Sequence, residues 1–525
     1  MSKRNKAAII ALPTKVVGKP AEVTIHKLPT GVRGLDDILG GGIPEYSFNI
    51  IAGKPGGGKT TLAHQIAFAN ATAKKPALYF TVLGEPGIKM LRYQQQFSFF
   101  DKSRLGKDIR LINLGDMVLE QDSNAVLDEI IKQVTAIHPG VVVVDSFRTV
   151  VRKTAATSGQ MEIQSFIYRL AQFLTSWQAT TFLVGEYVEE EVHDNPLFTI
   201  ADGVFWLSQV SQGSSVTRQL HIMKLRGQAS VPGLHTIRIT DGGLQAFSRT
   251  LGLIETVGTR TNPGPRHVLS IGVPELDKML GGGIREGDSV LVTGPSGTGK
   301  SALATQFIAE GVRNGEPGII VIFGERPERY MHRADTFGLN LTTAQQEGTL
   351  EILCFRALDL SVDEAMQEIL DAISRIGAKR LVIDSLVGFE TALAPGFRDT
   401  FRESIYRMIG AVNGSGITIL STVEMEDTFT GLPFSSYAIS FLTDDIIRFR
   451  YVEIDGQLRK VMVVVKMRGG NHSKDIREYV ITDKGVVVIH PRRTDYEGLT
   501  TGIPQRTGPR KAQANENAPE PKATK

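Results

Sequence analysis

Gly53-Lys54-Pro55-Gly56-Gly57-Gly58-Lys59-Thr60 and Gly294-Pro295-Ser296-Gly297-Thr298-Gly299-Lys300-Ser301 decide the fold. Both satisfy G-x-x-x-x-G-K-[ST], in which glycine-permitted bends aim successive backbone N–H groups at a nucleotide's phosphates. The lysine reaches the terminal phosphates, and the hydroxyl of Thr60 or Ser301 helps to hold Mg²⁺. Each loop follows an apolar run (48–52; 289–293) and precedes a helix-like one (62–69; 302–309), the strand–loop–helix setting that the motif requires. The nucleotide-binding set therefore takes in Gly53, Gly56, Gly57, Gly58, Lys59, Thr60 and Thr61, with Gly294, Ser296, Gly297, Thr298, Gly299, Lys300, Ser301 and Ala302 in the second copy.

The self-similarity extends outward from the loops. Leu28-Pro-Thr-Gly-Val-Arg-Gly-Leu-Asp-Asp-Ile-Leu-Gly-Gly-Gly-Ile43 lies over Leu269-Ser-Ile-Gly-Val-Pro-Glu-Leu-Asp-Lys-Met-Leu-Gly-Gly-Gly-Ile284, an offset of 269 − 28 = 241. Gly140-Val-Val-Val-Val-Asp145-Ser146 matches Arg380-Leu-Val-Ile-Asp384-Ser385, and Lys224-Leu-Arg-Gly227 matches Lys466-Met-Arg-Gly469. Between these landmarks β-branched runs alternate with helix-like stretches such as 124–138 and 362–376. The pattern predicts an α/β chain of two tandem domains, each a mainly parallel sheet flanked by helices, with nucleotide at the carboxyl ends of the strands. The expected boundaries are a flexible lead-in at 1–24, a first domain at 25–251, a linker at 252–266, a second domain at 267–490 and a disordered tail at 491–525.

The 525 residues exceed what one hydrophobic core usually organises, in agreement with the duplication. Lys plus Arg total 59 against 56 for Asp plus Glu, so the net charge of +3 offers no polyanion-binding balance and weighs against nucleic acid as a partner. No apolar run approaches the roughly 18 residues of a membrane span. The run 7–12 behind Lys3, Arg4 and Lys6 is short for a signal peptide, and a cytoplasmic protein is expected. The single cysteine, Cys354, rules out an intramolecular disulfide and reads as a small core residue rather than a nucleophile. The ten histidines show no metal-binding spacing.

Asp145 and Asp384 end their strands beside the phosphate loops, where a carboxylate can orient water on the metal held by Thr60 or Ser301. Hydrolysis also needs a group that orients or deprotonates the attacking oxygen. Glu85 in Gly84-Glu85-Pro86 and Glu325 in Gly324-Glu325-Arg326 end the next predicted strand in each copy and are the candidates. On a strand, Lys224 and Arg226 share one face, as do Lys466 and Arg468. Repeated same-face cations fit a phosphate clamp, which in ring-forming ATPases serves the neighbouring subunit's nucleotide.

Taken in order, these motifs, with Tyr451-Val-Glu-Ile, Ile476-Arg-Glu and Asp483-Lys-Gly, resemble the KaiC family of circadian clock ATPases and autokinases over roughly residues 25 to 490. The resemblance implies tandem RecA-like P-loop NTPase domains assembled as a double-ring homohexamer that binds ATP and Mg²⁺ between neighbours. The first ring would be a slow ATPase and the second an autokinase. It also implies that Lys224, Leu225, Arg226, Thr240 and Asp241 meet ATP in the first ring. In the second ring Phe337 falls near the adenine, and Lys460, Lys466, Met467, Arg468, His472 and Lys474 fall on positions that contact the neighbour's ATP.

The departures are specific. Family members carry two adjacent glutamates after the strand in each domain, and here the first of each pair is Gly84 or Gly324. The family's phosphorylated Ser-Thr pair aligns with Ser440-Phe441, which leaves Ser440 as the phosphoacceptor. The segment beyond about Val488 departs from the stretch that engages the KaiA partner, leaving a KaiB-like or other signalling partner as the expectation. The sequence thus reads as a KaiC-like hexameric ATPase with serine autokinase activity, acting in signalling or timing. Two readings share the fold: a non-enzymatic nucleotide-gated scaffold, and a RecA- or DnaB-like DNA-dependent ATPase.

Overall fold

Val141–Asp145 is buried throughout, and four successive valines can be buried on both faces only inside a sheet covered by helices on each side. A computed structural model of the chain describes residues 25–82, 92–120, 123–151, 160–212, 215–248, 267–355, 360–393, 401–425, 443–488, 496–497 and 505–506. Glu85, Ser440, residues 1–24, the linker at 252–266 and most of the tail lie outside the described residues.

Among the described residues the chain builds two nine-stranded sheets, one in each repeat. The first is built on β1 (Phe48–Gly53), β2 (Ala77–Thr81), β3 (Ile109–Asn113), β4 (Val141–Asp145), β5 (Thr180–Glu186), β6 (Gly203–Gln212), β7 (Ser215–Leu225), β8 (Leu234–Thr240) and β9 (Gly243–Phe247). Among the described residues these form one sheet in the order β3-β2-β4-β5-β1-β6-β7-β8-β9. The pairs from β3 to β6 are parallel.

The second unit repeats the arrangement with β10 (Ser289–Gly294), β11 (Gly318–Phe323), β12 (Leu350–Phe355), β13 (Arg380–Asp384), β14 (Thr418–Glu424), β15 (Asp445–Ile454), β16 (Gln457–Met467), β17 (Arg477–Thr482) and β18 (Gly485–Val488). Their order is β12-β11-β13-β14-β10-β15-β16-β17-β18, and the strands after β15 are antiparallel. This is the tandem RecA-like architecture that the duplicated loops predict.

Helices α1 (Lys59–Asn70), α2 (Ser123–Ile137) and α3 (Gln160–Ser176) belong to the first unit, and α4 (Lys300–Arg313), α5 (Pro327–Asp335), α6 (Val362–Ile376) and α7 (Phe401–Gly414) to the second. Side-chain alternation on β10 builds a core on each face. Val290 and Val292 pack with Leu303 and Phe307 of α4, while Leu291 packs with Met366 of α6 and Ile405 of α7. The phosphate-loop strand is therefore packed on both faces, and its carboxyl end opens at the rim of the sheet. Cys354 departs from expectation. It falls on an outward position of β12, exposed, with its thiol against Glu325 O at 3.2 Å.

Candidate nucleotide-binding clefts

Each phosphate loop leaves its strand through a glycine that no other residue could replace without displacing backbone. At Gly53 φ is +133°, and a Cβ would stand 1.8 Å from Leu207 O; at Gly294 φ is +156°, with Phe449 O 2.6 Å away. The loop lysines turn back over their own loops, Lys59 Nζ donating to Lys54 O at 2.8 Å and Lys300 Nζ to Gly294 O and Pro295 O at 2.8 and 2.7 Å. Burial lowers the pKa of both. Glu186 and Asp145 oppose that shift for Lys59, and Glu424 and Asp384 oppose it for Lys300. Bound phosphates would add to this opposition and keep the ammonium groups charged.

A cleft of about 470 Å³ opens over the first loop, lined by Gly56, Gly58, Lys59, Thr60, Thr61, Asp145 and Glu186, among others. Over the second loop a cleft of about 340 Å³ is lined by Ser296, Gly297, Gly299, Lys300, Ser301 and Ala302, with Phe337, Asp384 and Glu424. Thr298 is turned inward. Its hydroxyl donates to Pro295 O at 2.7 Å, and its carbonyl accepts from Tyr479 OH at 2.6 Å, so it braces the loop.

In the first cleft Thr60 Oγ1 donates to Asp145 Oδ2 at 2.8 Å. Tyr79 OH donates to the same oxygen at 2.9 Å, and the buried His64 ring stacks on Tyr79 at 4.1 Å between centroids. Burial pushes His64 down to about 3, so it stays neutral behind the loop. In the second cleft Asp384 Oδ1 accepts from Thr422 Oγ1 at 2.6 Å, and Ser301 lines the same wall. A hydroxyl beside a carboxylate offers the hard oxygen donors that Mg²⁺ takes, mostly through retained waters, so the residues present fit the ion. Among the described residues no cluster of three or more acidic, histidine or cysteine side chains holds a metal by itself.

The sequence reading did not single out Glu186, Glu424, Arg148 or Arg333, all of which line the clefts. Arg148 is gripped by Glu191 at 2.6 and 2.7 Å, and Arg333 Nη1 donates to Glu325 Oε1 at 2.9 Å. Glu325 also lies 3.9 Å from Arg329 and stands one residue removed from the second cleft, behind Arg333. The repeat offset could have found the two glutamates, since 424 − 186 = 238 is within one residue of the spacing of the Asp-Ser strand ends, 384 − 145 = 239.

The Lys-x-Arg pairs sit elsewhere. Lys224 Nζ reaches Phe198 O and Thr199 O at 3.2 and 2.9 Å. Arg226 pairs with Asp202 Oδ1 at 3.3 Å, while Asp202 Oδ2 accepts from Phe48 N at 3.0 Å. The second copy repeats this. Lys466 Nζ donates to Thr443 O at 2.5 Å, and Arg468 lies 3.5 Å from Asp444 Oδ1, whose other oxygen accepts from Ser289 N at 3.0 Å. Phe48 and Ser289 begin the strands that Gly53 and Gly294 end. Six residues at about 3.3 Å rise put each clamp roughly 17 Å from its own loop.

The Leu-Gly-Gly-Gly runs seat the turns after the clamps. A Cβ on Gly40 would stand 2.7 Å from Ala229 O, and one on Gly281 2.7 Å from Asn471 O. His472 and Lys474 flank Ser473, whose N–H donates to Met279 O at 2.8 Å, and Met467 packs against the core. Lys460 departs from this group. It faces Tyr451, which hydrogen-bonds Ser296 O, at the loop end of β16 and about 20 Å along the strand from Lys466. Thr240 and Asp241 also stand at a loop end, next to Ile239 of the first cleft, with Asp241 O accepting from Ser98 N at 2.8 Å. Leu225 ends β7 between the two clamp cations.

Asp445 is buried at the clamp end of the second unit, and neither of its carboxylate oxygens has a hydrogen-bond partner among the described residues. Burial, then the charges of Asp288 and Asp444, push its pKa up to about 7. The folded state holds a proton that the unfolded chain releases near its ordinary carboxylate value, so this group costs stability as the pH rises toward 7. Asp445→Asn is expected to melt several degrees above the wild type at pH 8, with the gap shrinking toward pH 5. Equal melting differences at both pH values would contradict this.

Two phosphate-loop clefts on two RecA-like sheets, each with a strand-end aspartate in its wall, define a tandem P-loop ATPase. The family model for the KaiC ATPase matches residues 28–250 and 269–493, and the chain belongs to the KaiC family. It is similar to the circadian clock oscillator protein KaiC of Acaryochloris marina, 30% identical over 502 residues that cover 92% of each chain. The KaiC of Prochlorococcus marinus is 29% identical over 93% of this chain and 97% of its own. KaiC 1 of a Synechocystis species is 29% identical over 92% of each. Among the described residues no helix is long and apolar enough to cross a membrane.

Proposed function

We propose that this protein is a cytoplasmic, homohexameric KaiC-like ATPase whose ATP sites are completed by neighbouring subunits, with serine autokinase activity in its second domain and a role in signalling or timing. One observation carries this reading. In each copy the Lys-Arg pair lies at the opposite end of the sheet from the loop of the same domain, too far away to reach its own nucleotide. A head-to-tail ring brings one subunit's clamp to the next subunit's loop.

Within each site the loop amides and Lys59 or Lys300 bind the phosphates, and Thr60 with Asp145, or Ser301 with Asp384, holds Mg²⁺. The ion supplies charge neutralisation for the departing diphosphate. Lys224 with Arg226, and Lys466 with Arg468, neutralise charge developing on the transferred phosphoryl group. Phe337, beside the second loop, offers an aromatic face to the base. A KaiB-like or other signalling partner would read the nucleotide state of the rings. The scaffold reading draws on Gly84 and Gly324, which leave a single glutamate after each of those strands.

Incubation of the full chain with MgATP, followed by ADP quantification and phosphopeptide mapping, tests both activities. We expect slow ADP release and a phosphate on Ser440. Label found elsewhere defeats the acceptor assignment, and turnover no faster than in buffer supports the scaffold.

A further inference from the structure

The strands order the carboxylates by distance from each phosphate loop. β5 and β14 lie directly beside the loop strands, in registers that pair Gly53 with Glu186 and Gly294 with Glu424. Neighbouring strands stand about 4.8 Å apart. β4 and β13, which end in Asp145 and Asp384, are one strand further out, and β11, which leads to Glu325, is a third strand away.

The partners of these carboxylates differ as well. Asp145 already accepts from Thr60 and Tyr79, and Asp384 accepts from Thr422. Glu325 is held by Arg333. Glu186 and Glu424 are exposed at their strand ends, line the clefts, and have no hydrogen-bond or ion-pair partner among the described residues for their carboxylates. Each opposes the burial-lowered pKa of its loop lysine more strongly than the neighbouring aspartate does. An exposed strand-end glutamate could be simple surface charge. Its recurrence beside the glycine that opens the loop, in both copies, argues for a role at the phosphates.

We propose that Glu186 and Glu424 orient the attacking water and accept its proton during ATP hydrolysis, the task that the glutamate pairs interrupted by Gly84 and Gly324 would otherwise serve. The water oxygen forms the new bond to the γ-phosphorus. The bond from that phosphorus to the bridging oxygen breaks, and the oxygen keeps the electron pair as part of ADP. The water's proton passes to the glutamate and from there to solvent. A carboxylate one strand from the loop, with no other side-chain partner among the described residues, meets both requirements of a base, reach and an open acceptor oxygen.

The inference rests on the ATPase reading, and one experiment separates the two. ADP release is measured on the full chain for the wild type, Glu186→Gln/Glu424→Gln, Glu186→Asp/Glu424→Asp and Glu325→Gln, with binding of a fluorescent ATP analogue and KM measured in parallel. The double glutamine variant is expected to lose on the order of 100-fold in kcat while KM and analogue binding stay within a few-fold. The double aspartate variant should be intermediate, and Glu325→Gln should lose less than the double glutamine variant. Wild-type turnover that survives in the double glutamine variant overturns the inference alone, as does a loss of analogue binding in that variant or a larger loss in Glu325→Gln. A wild type without turnover defeats the ATPase reading and this inference with it.

Discussion

Assembling a Lys59→Ala/Lys300→Ala chain with an Arg226→Ala/Arg468→Ala chain is expected to restore MgATP turnover that neither chain shows alone. On the proposed reading the first chain lacks the ammonium groups that would meet the terminal phosphates, so its loops fail while its clamps are intact. The second has working loops and no clamp arginine, a contribution worth about 10³-fold in related phosphoryl transfers. Each clamp lies roughly 17 Å from the loop of its own sheet, because Asp202 and Asp444 tie it to the first residue of the strand whose last residue opens the loop. Only a boundary between unlike chains then joins a live loop to a live clamp. Co-expressed chains with separable tags, measured for ADP release after tandem purification, provide the readout. Turnover no higher than the sum of the two parents would show that each domain completes its own site.

Arg380→Ala should unfold the second unit or lower its stability by about 3–5 kcal/mol, the usual consequence of breaking a buried charged network from one side. The guanidinium is 1% exposed, donates to Glu316 at 2.6 Å and to Ser270 O and Phe307 O at 2.8 Å each, and lies over the Phe307 ring at 4.6 Å. Alanine would leave two buried carbonyls without these donors and a carboxylate without its counter-ion. Because Ser270 and Phe307 come from the opening motif and from α4, the same side chain ties the start of the unit to the phosphate-loop helix. Position 141, its counterpart in the first unit, is valine, so the first melting transition should remain while the second moves. Urea titration followed by circular dichroism, with limited proteolysis to identify the surviving unit, would check this. An unchanged second transition would contradict it.

Much of the architecture is legible in the sequence, since both loops and both Asp-Ser strand ends are local patterns repeated at a near-constant offset. The Lys-x-Arg pairs could also be recognised, because alternate residues of a strand share a face and the pattern occurs twice. Lys460 could not be separated from them by sequence. It lies on the same strand as Lys466, and only the position of Tyr451 against Ser296 shows that it faces the other end of the sheet. Cys354 is exposed on an edge strand, and the residue type alone says nothing about which face of such a strand stays uncovered. Glu186 and Glu424 belong to no named motif; the repeat offset could pair them, but it took the register that seats them beside Gly53 and Gly294 to tie them to the phosphate loops.

By itself the sequence determined that the chain carries two strand–loop–helix nucleotide sites within a duplicated domain. Their requirements, glycines that adopt positive φ and one lysine at the helix start, are met within eight consecutive residues. The tertiary structure decided which carboxylates stand beside the phosphate loops and that the Lys-x-Arg pairs lie at the far end of the sheet from them. Strand order and direction are set by contacts between residues far apart in the chain, such as the hydrogen bond from Phe48 N to Asp202 Oδ2, and no local pattern encodes them.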